Sequence, residues 1–260
     1  MYNGSQIREK LQAGQPVIGT IMYLGAPQFV EIAAEIGYEW LFVDTEHGHI
    51  DYDRLFSIML AAKGTPLDVI VRVPCLRESA IKQALDLGAS GVVVPMIQNA
   101  DQVAAAVKWS KYAPQGLRGY GPLRAFHYMM QADEYRRDAN AVTTVIAQIE
   151  SLDAVHSIQE IVSVPGLDGV FMGTSDLSQS MGILGEEEHP ELIANVNRVF
   201  DAAQEAGVAY GTFVRRASQC RPWIERGARL MTIGSDMEFW VDGLSEEWVQ
   251  LKQTGGDTRA

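Results

Sequence analysis

A (β/α)8 barrel is the fold class this sequence predicts, on three observations. Eight short apolar runs rich in β-branched residues alternate with stretches of helical spacing, and no linker separates them. The 260 residues lie near the roughly 250 typical of one such barrel. No Gly-rich dinucleotide fingerprint follows the first run, which disfavours the main rival, a doubly wound open sheet. The chain therefore reads as one α/β domain over 1–260, with a polar tail at 254–260 expected to fray.

The elements justify themselves in order. After a helix-like SQIREKLQAG, VIGTIMYLG (17–25) is the first strand, and APQFVEIAAEIG (26–37) has helical spacing and stops on Gly37. WLFVDTEHG (40–48) is the second strand, breaking into a polar cluster, and the helix at 51–64 begins at Asp51 and ends at Gly64. LDVIVRVP (67–74), the helix at 79–88, GVVVPMI (91–97) and the helix at 99–112 continue the alternation. Periodicity lapses at PQGLRGYGPLRAFHY (114–128), read as a long loop at the same mouth as the other polar strand ends. A short helix then leads into TTVIAQIE (143–150), followed by one helix over 151–166 and the strand GVFMG. Pro190 suits the first turn of the next helix. VAYGTFV (208–214), SQCRPWIERGA and RLMTIGSD (229–236) complete the set before a final amphipathic stretch, MEFWVDGLSEEWVQLKQ.

Composition narrows the function. With 21 Lys plus Arg against 33 Asp plus Glu, the formal net charge is −12, a poor match for nucleic acid or anionic lipid. Cys75 and Cys220 have no metal-type spacing, which points to a reducing compartment, and with no signal-peptide core the reading is cytoplasmic. No run reaches the ~18 apolar residues of a membrane span.

In such a barrel the C-terminal strand ends share one mouth. There the sequence places Asp44, Glu46 and His47, then Arg72, Gln148 and Glu150, then Ser175 and Asp176, and finally Ser235 and Asp236. Glu150 and Asp176 converge as two hard oxygen ligands for a divalent cation. Gly173 permits close backbone approach, so the amides of the Gly173 to Ser175 turn suit an anionic group beside it. His47 is the candidate general base, or a strand cap. Arg72 suits an oxyanion, or serves as ion-pair partner of Asp44 or Glu46. No lysine ends a strand at the mouth, which argues against Schiff-base chemistry.

The segments FVDTEHGHID, VIVRVP, ALDLGASGVVVPMIQNADQ, GLRGYGP, AQIES and LDGVFMGTSDLSQSMG together resemble the class II, metal-dependent pyruvate aldolases of the 4-hydroxy-2-oxoheptanedioate aldolase type, the HpcH/HpaI family. That resemblance implies reversible cleavage of a 4-hydroxy-2-oxo acid to pyruvate and an aldehyde through a metal-stabilised pyruvate enolate. It implies Mg²⁺, Mn²⁺ or Co²⁺ on Glu150 and Asp176, with Gln148 and the Ser175 amide holding pyruvate. Arg72 would steady the enolate oxygen, and His47 would be the base, its basicity raised by Asp86. Because Asp86 ends its helix on the opposite face of the barrel, it would serve a neighbouring subunit. A homo-hexamer built as a trimer of dimers, with C-terminal helices exchanged, is implied as well. For the aldehyde, Arg124 on the 118–128 loop is the residue chosen to meet a carboxylate or hydroxyl, with Tyr23 and the Val214–Arg216 loop as alternatives. Oxaloacetate decarboxylation, CoA-ester lysis and non-catalytic 2-oxo-acid binding are the rival functions.

Overall fold

Strands buried on both faces need apolar residues along their length, and WLFVD, DVIVR and GVVV, buried throughout, are polar only at their ends, at Asp44, Asp68 and Arg72. A computed structural model of the chain describes residues 6–254. Helix α1 (Gln6–Gln12) precedes β1 (Val17–Met22), α2 (Pro27–Ile36), β2 (Trp40–Asp44), α3 (Tyr52–Ala61), β3 (Asp68–Arg72), α4 (Glu78–Asp86) and β4 (Gly91–Val94). Then follow α5 (Ala100–Ser110), α6 (Ala132–Val142), β5 (Thr144–Ile149), α7 (Leu152–His156), α8 (Ile158–Val162), β6 (Gly169–Met172) and α9 (Thr174–Ser180). The chain ends with α10 (Pro190–Ala206), β7 (Ala209–Val214), α11 (Ala217–Arg226), β8 (Leu230–Ser235) and α12 (Asp236–Thr254). Each strand pairs in parallel with the next, and β8 returns to β1, so the barrel closes in sequence order. The predicted fold class is the observed one.

Two cores hold it. Inside the barrel, Val17, Ile21, Trp40, Phe42, Ile70, Val93, Ile146, Phe171 and Leu230 pack together, with Tyr23 and Phe213 against them. Phe42 and Phe171 centroids lie 5.2 Å apart, and Trp40 Nε1 donates to the Met231 carbonyl (3.1 Å). Gly19 is required here, since a Cβ would stand 2.6 Å from the Trp40 ring. The second core lies between strands and outer helices. Ile7 and Leu11 of α1 join the inner core and close the barrel's lower end, where the Ile7 amide donates to Asp68 (2.8 Å).

Three local expectations need revision, at 151–166, 174–180 and 114–128. The helix read over 151–166 is two short ones, α7 and α8, interrupted at Ser157 (φ −92°, ψ 10°). The Gly173 to Ser175 turn opens into a helix, α9 over 174–180, which buries only Leu177 and Ser178 and so lacks a legible apolar face. The 114–128 loop is not at the mouth. It follows a helix, α5, and therefore lies at the opposite end of the barrel, where its Ala125 amide donates to the carbonyl of Asp86 at the end of α4 (3.2 Å). Helix α12 keeps only its first turns on the barrel: Phe239 stacks on Phe29 (6.5 Å), whereas Trp240, Leu244, Trp248 and Leu251 are 55–72% exposed. Of the tail expected to fray, 255–260 lie outside the described residues. Among the described residues no helix is long and apolar enough to cross a membrane.

Candidate active site

The mouth is organised by Asp44, the last residue of β2 and fully buried. Its carboxylate accepts the amides of Glu46 (2.9 Å) and His47 (3.2 Å), which fixes the turn that carries both side chains. The same carboxylate takes the Arg72 guanidinium, through Nε (3.0 Å) and Nη2. That turn needs Gly48, because a Cβ there would stand 2.3 Å from the Asp44 carbonyl. Arg72, ending β3, also reaches Glu46 Oε2 (3.2 Å) and Gln148 Oε1 (3.3 Å), and lies over the Phe42 ring. Burial works against its charge, but the hydrogen bond and attraction of Asp44, with Glu46, outweigh burial and raise its pKa. The ion-pair role open in the sequence is thus real, and the remaining guanidinium face points at Gln148.

Glu150 follows β5 directly and is 3% exposed. Its Oε1 accepts the Met96 amide (2.5 Å) and its Oε2 accepts Gln148 Nε2. Burial raises its pKa against the lowering effect of the Met96 amide, and the charge of Asp176 raises it further. Two carboxylates are therefore close enough to repel. Gly173 lets the backbone after β6 lie against Glu150: a Cβ would lie 2.9 Å from Glu150 Cβ and 3.0 Å from its Oε2. Asp176 and Ser175 sit in the first turn of α9, whose opening amides have no intrahelical acceptor. His47 projects outward, its side chain 62% exposed, with Nε2 4.0 Å from Glu46 Oε2. Burial pushes the Glu46 carboxyl up, although Arg72 opposes it.

His47, Arg72, Gln148, Glu150, Gly173, Ser175 and Asp176 thus share one end of the barrel. Asp86 and Arg124 do not. Asp86 ends α4 on the far face, where its carboxylate accepts Arg118 Nη2 (2.6 Å). Arg124, expected at the mouth, instead donates to the Leu87 carbonyl (2.6 Å) and to the Met59 carbonyl, bracing the carboxyl ends of α4 and α3. Its loop was assigned to the wrong face because composition marks a surface loop without saying which end it occupies. A cavity of about 180 Å³ on that far face, lined in part by Lys63, Asp68, Ser90, Arg118 and Arg124, is separate from the mouth. Two participants escaped the sequence. The Met96 amide, presented by a left-handed residue (φ 55°), is a main-chain group and leaves no mark in residue identity. Glu238, which holds Arg215 (3.2 Å), lies in the C-terminal helix, read only as a final amphipathic stretch.

Comparison with known proteins agrees with this fold. A 4-hydroxy-2-oxo-heptane-1,7-dioate aldolase of Escherichia coli is 33% identical over 233 residues, covering 89% of each chain. A hydroxypyruvate/pyruvate aldolase of Roseobacter denitrificans is 31% identical over 248 residues, covering 94% of this chain and 96% of the relative. The crystal structure of an HpcH/HpaI aldolase from Desulfitobacterium hafniense superposes with a TM-score of 0.91 at 31% identity, covering 97% of this chain and 99% of that one. The family model for HpcH/HpaI aldolase/citrate lyase matches residues 20–242. A parallel barrel with paired carboxylates at its mouth, matched over nearly its whole length, belongs to the HpcH/HpaI aldolase/citrate lyase family.

Proposed function

We propose that the chain is a class II pyruvate aldolase, cleaving a 4-hydroxy-2-oxo acid reversibly to pyruvate and an aldehyde. The observation that carries this reading is the buried Glu150 carboxylate, pressed toward Asp176 across Gly173 and beside the Arg72–Gln148 pair. Two oxygen ligands with mutual repulsion suit a hard divalent cation, Mg²⁺, Mn²⁺ or Co²⁺, and Glu150 keeps a lone pair on each oxygen after accepting Met96 and Gln148. Among the described residues no group of three or more His, Cys, Asp or Glu forms a fuller cage. Glu150 and Asp176 would hold the cation, which supplies positive charge to the oxygens of the 2-oxo acid when bound.

The chain's own groups do the rest. Gln148 and the first amides of α9 orient the pyruvate unit, and Arg72, immobilised by Asp44, donates where charge develops on the C2 oxygen. His47 takes the C4 hydroxyl proton as the C3–C4 bond breaks. The bonding pair passes to the enolate, and a proton returned to C3 completes pyruvate. Asp86, held by Arg118 on the far face, reaches a His47 only across a subunit boundary. The same reading assembles the chain as a homo-hexamer, a trimer of dimers with exchanged α12 helices, in keeping with the exposed apolar residues of α12. It is placed in the cytoplasm, in keeping with two free cysteines. Pyruvate release from 4-hydroxy-2-oxo acids, oxaloacetate and malyl-CoA, each with and without chelator, tests the reading. Turnover of the hydroxy acids that vanishes with chelator supports it; turnover confined to malyl-CoA overturns it.

A further inference from the structure

On that reading the pyruvate unit occupies one side of the mouth, since Gln148 lies in β5, Glu150 directly follows it and Asp176 follows β6. The barrel order sets β1 directly across from β5, with β8 and β7 beside it. What these strands present is therefore the wall against which an aldehyde must lie. Alternation along β1 turns Tyr23 to the same side as Val17 and Ile21, so its ring rests on the inner core, as Phe213 also does. Its backbone is fixed: the amides of Tyr23 and Leu24 each donate to Asp236 (2.9 Å), a carboxylate 1% exposed. The Tyr23 hydroxyl has no hydrogen-bond partner among the described residues. Beside it, Glu238 accepts Ser235 Oγ (3.1 Å) through Oε2 and pairs with Arg215 Nε (3.2 Å) through Oε1.

We infer that Tyr23, flanked by the Glu238–Arg215 pair, seats the aldehyde and selects a neutral, hydroxylated one over apolar or carboxylated analogues. This inference rests on the pyruvate-aldolase reading above. Burial, and then the charge of Asp44, push the Tyr23 phenol up to about 12 although Arg72 opposes them, so near neutrality it remains a donor. The cations at this wall are already engaged. Arg72 is held by Asp44 and Glu46, Arg215 by Glu238, and Arg216 by Asp242 (2.9 Å). An aldehyde carboxylate would have to compete for them. An apolar aldehyde would leave the phenol unpaired in the complex, whereas Glu238 keeps Ser235 and Arg215. A hydroxyl next to the aldehyde carbon answers the phenol.

The test compares kcat/KM for pyruvate addition to glycolaldehyde, acetaldehyde and succinic semialdehyde in the metal-loaded enzyme. Wild type should favour glycolaldehyde. Tyr23→Phe should reduce its preference over acetaldehyde by roughly tenfold, the worth of one neutral hydrogen bond. Glu238→Gln leaves Arg215 without its carboxylate and should raise succinic semialdehyde relative to glycolaldehyde by roughly tenfold, as a freed guanidinium would. Exchange of the pyruvate methyl protons with deuterated water needs no aldehyde and reports the pyruvate half alone. Wild-type exchange with preferences unaltered in both variants, or a wild-type preference for acetaldehyde or succinic semialdehyde, overturns this inference and leaves the aldolase reading standing. No exchange and no addition in the wild type overturns both.

Discussion

Glu150 packs against the backbone after β6 because Gly173 carries no Cβ there, where one would stand 2.9 Å from Glu150 Cβ. Glu150→Gln and Asp176→Asn each remove one of two anionic ligands, and each should weaken Mn²⁺ binding on the order of 100-fold or more by calorimetric titration. Undiminished affinity in either variant would remove that carboxylate from the site. A different ionisable group sets a pH dependence of stability. Lys111 is 2% exposed and donates to the carbonyls of Asn140 (2.8 Å) and Thr143. Burial, with Arg8 adding repulsion, lowers its pKa to about 8. Between about 8 and the unfolded value near ~10.4 the unfolded chain binds the extra proton, so this lysine makes stability rise with pH. Lys111→Met should flatten that rise in urea midpoints measured from pH 7.5 to about pH 10. An unchanged slope would show that Lys111 titrates alike in both states.

At the scale of elements, the alternation of loop ends corrects what composition suggested. Arg124 braces two helix ends through charge-assisted hydrogen bonds to the Leu87 and Met59 carbonyls. Arg124→Ala should therefore cost about 1–2 kcal/mol, a fall of several degrees in Tm, measured by calorimetry. An unaltered Tm with a selective loss of aldehyde turnover would instead put Arg124 at another subunit's mouth. The strands were readable because burial on both faces leaves no polar position inside runs such as GVVV and DVIVR. The residues just beyond them were readable too, since Asp44, Arg72 and Glu150 interrupt apolar runs abruptly. Helix α9 was not, because TSDLSQS buries two residues and shows no stripe. The loop at 114–128 carries glycine, arginine and aromatics that mark exposure at either end of a barrel. Only its position after α5, rather than after a strand, decides the face.

At the scale of the molecule, α12 gathers several large exposed apolar side chains on one helix. Its exposed Trp240, Leu244, Trp248 and Leu251 match the exchanged helix of the proposed hexamer. Deletion from Asp242 onward should yield a smaller and less stable species, and an unchanged mass by light scattering would count against exchange. The helix also reaches back to the mouth. Arg215 and Arg216, which follow β7, are tied to Glu238 and Asp242 in its first turns. Where α12 is held by a second copy, those two pairs make substrate recognition and quaternary structure thermodynamically linked variables. Linkage is reciprocal, so an aldehyde that prefers the tied loop must tighten assembly by the same factor by which assembly improves its binding. Selectivity would then shift on dilution, with no change at any residue that touches pyruvate.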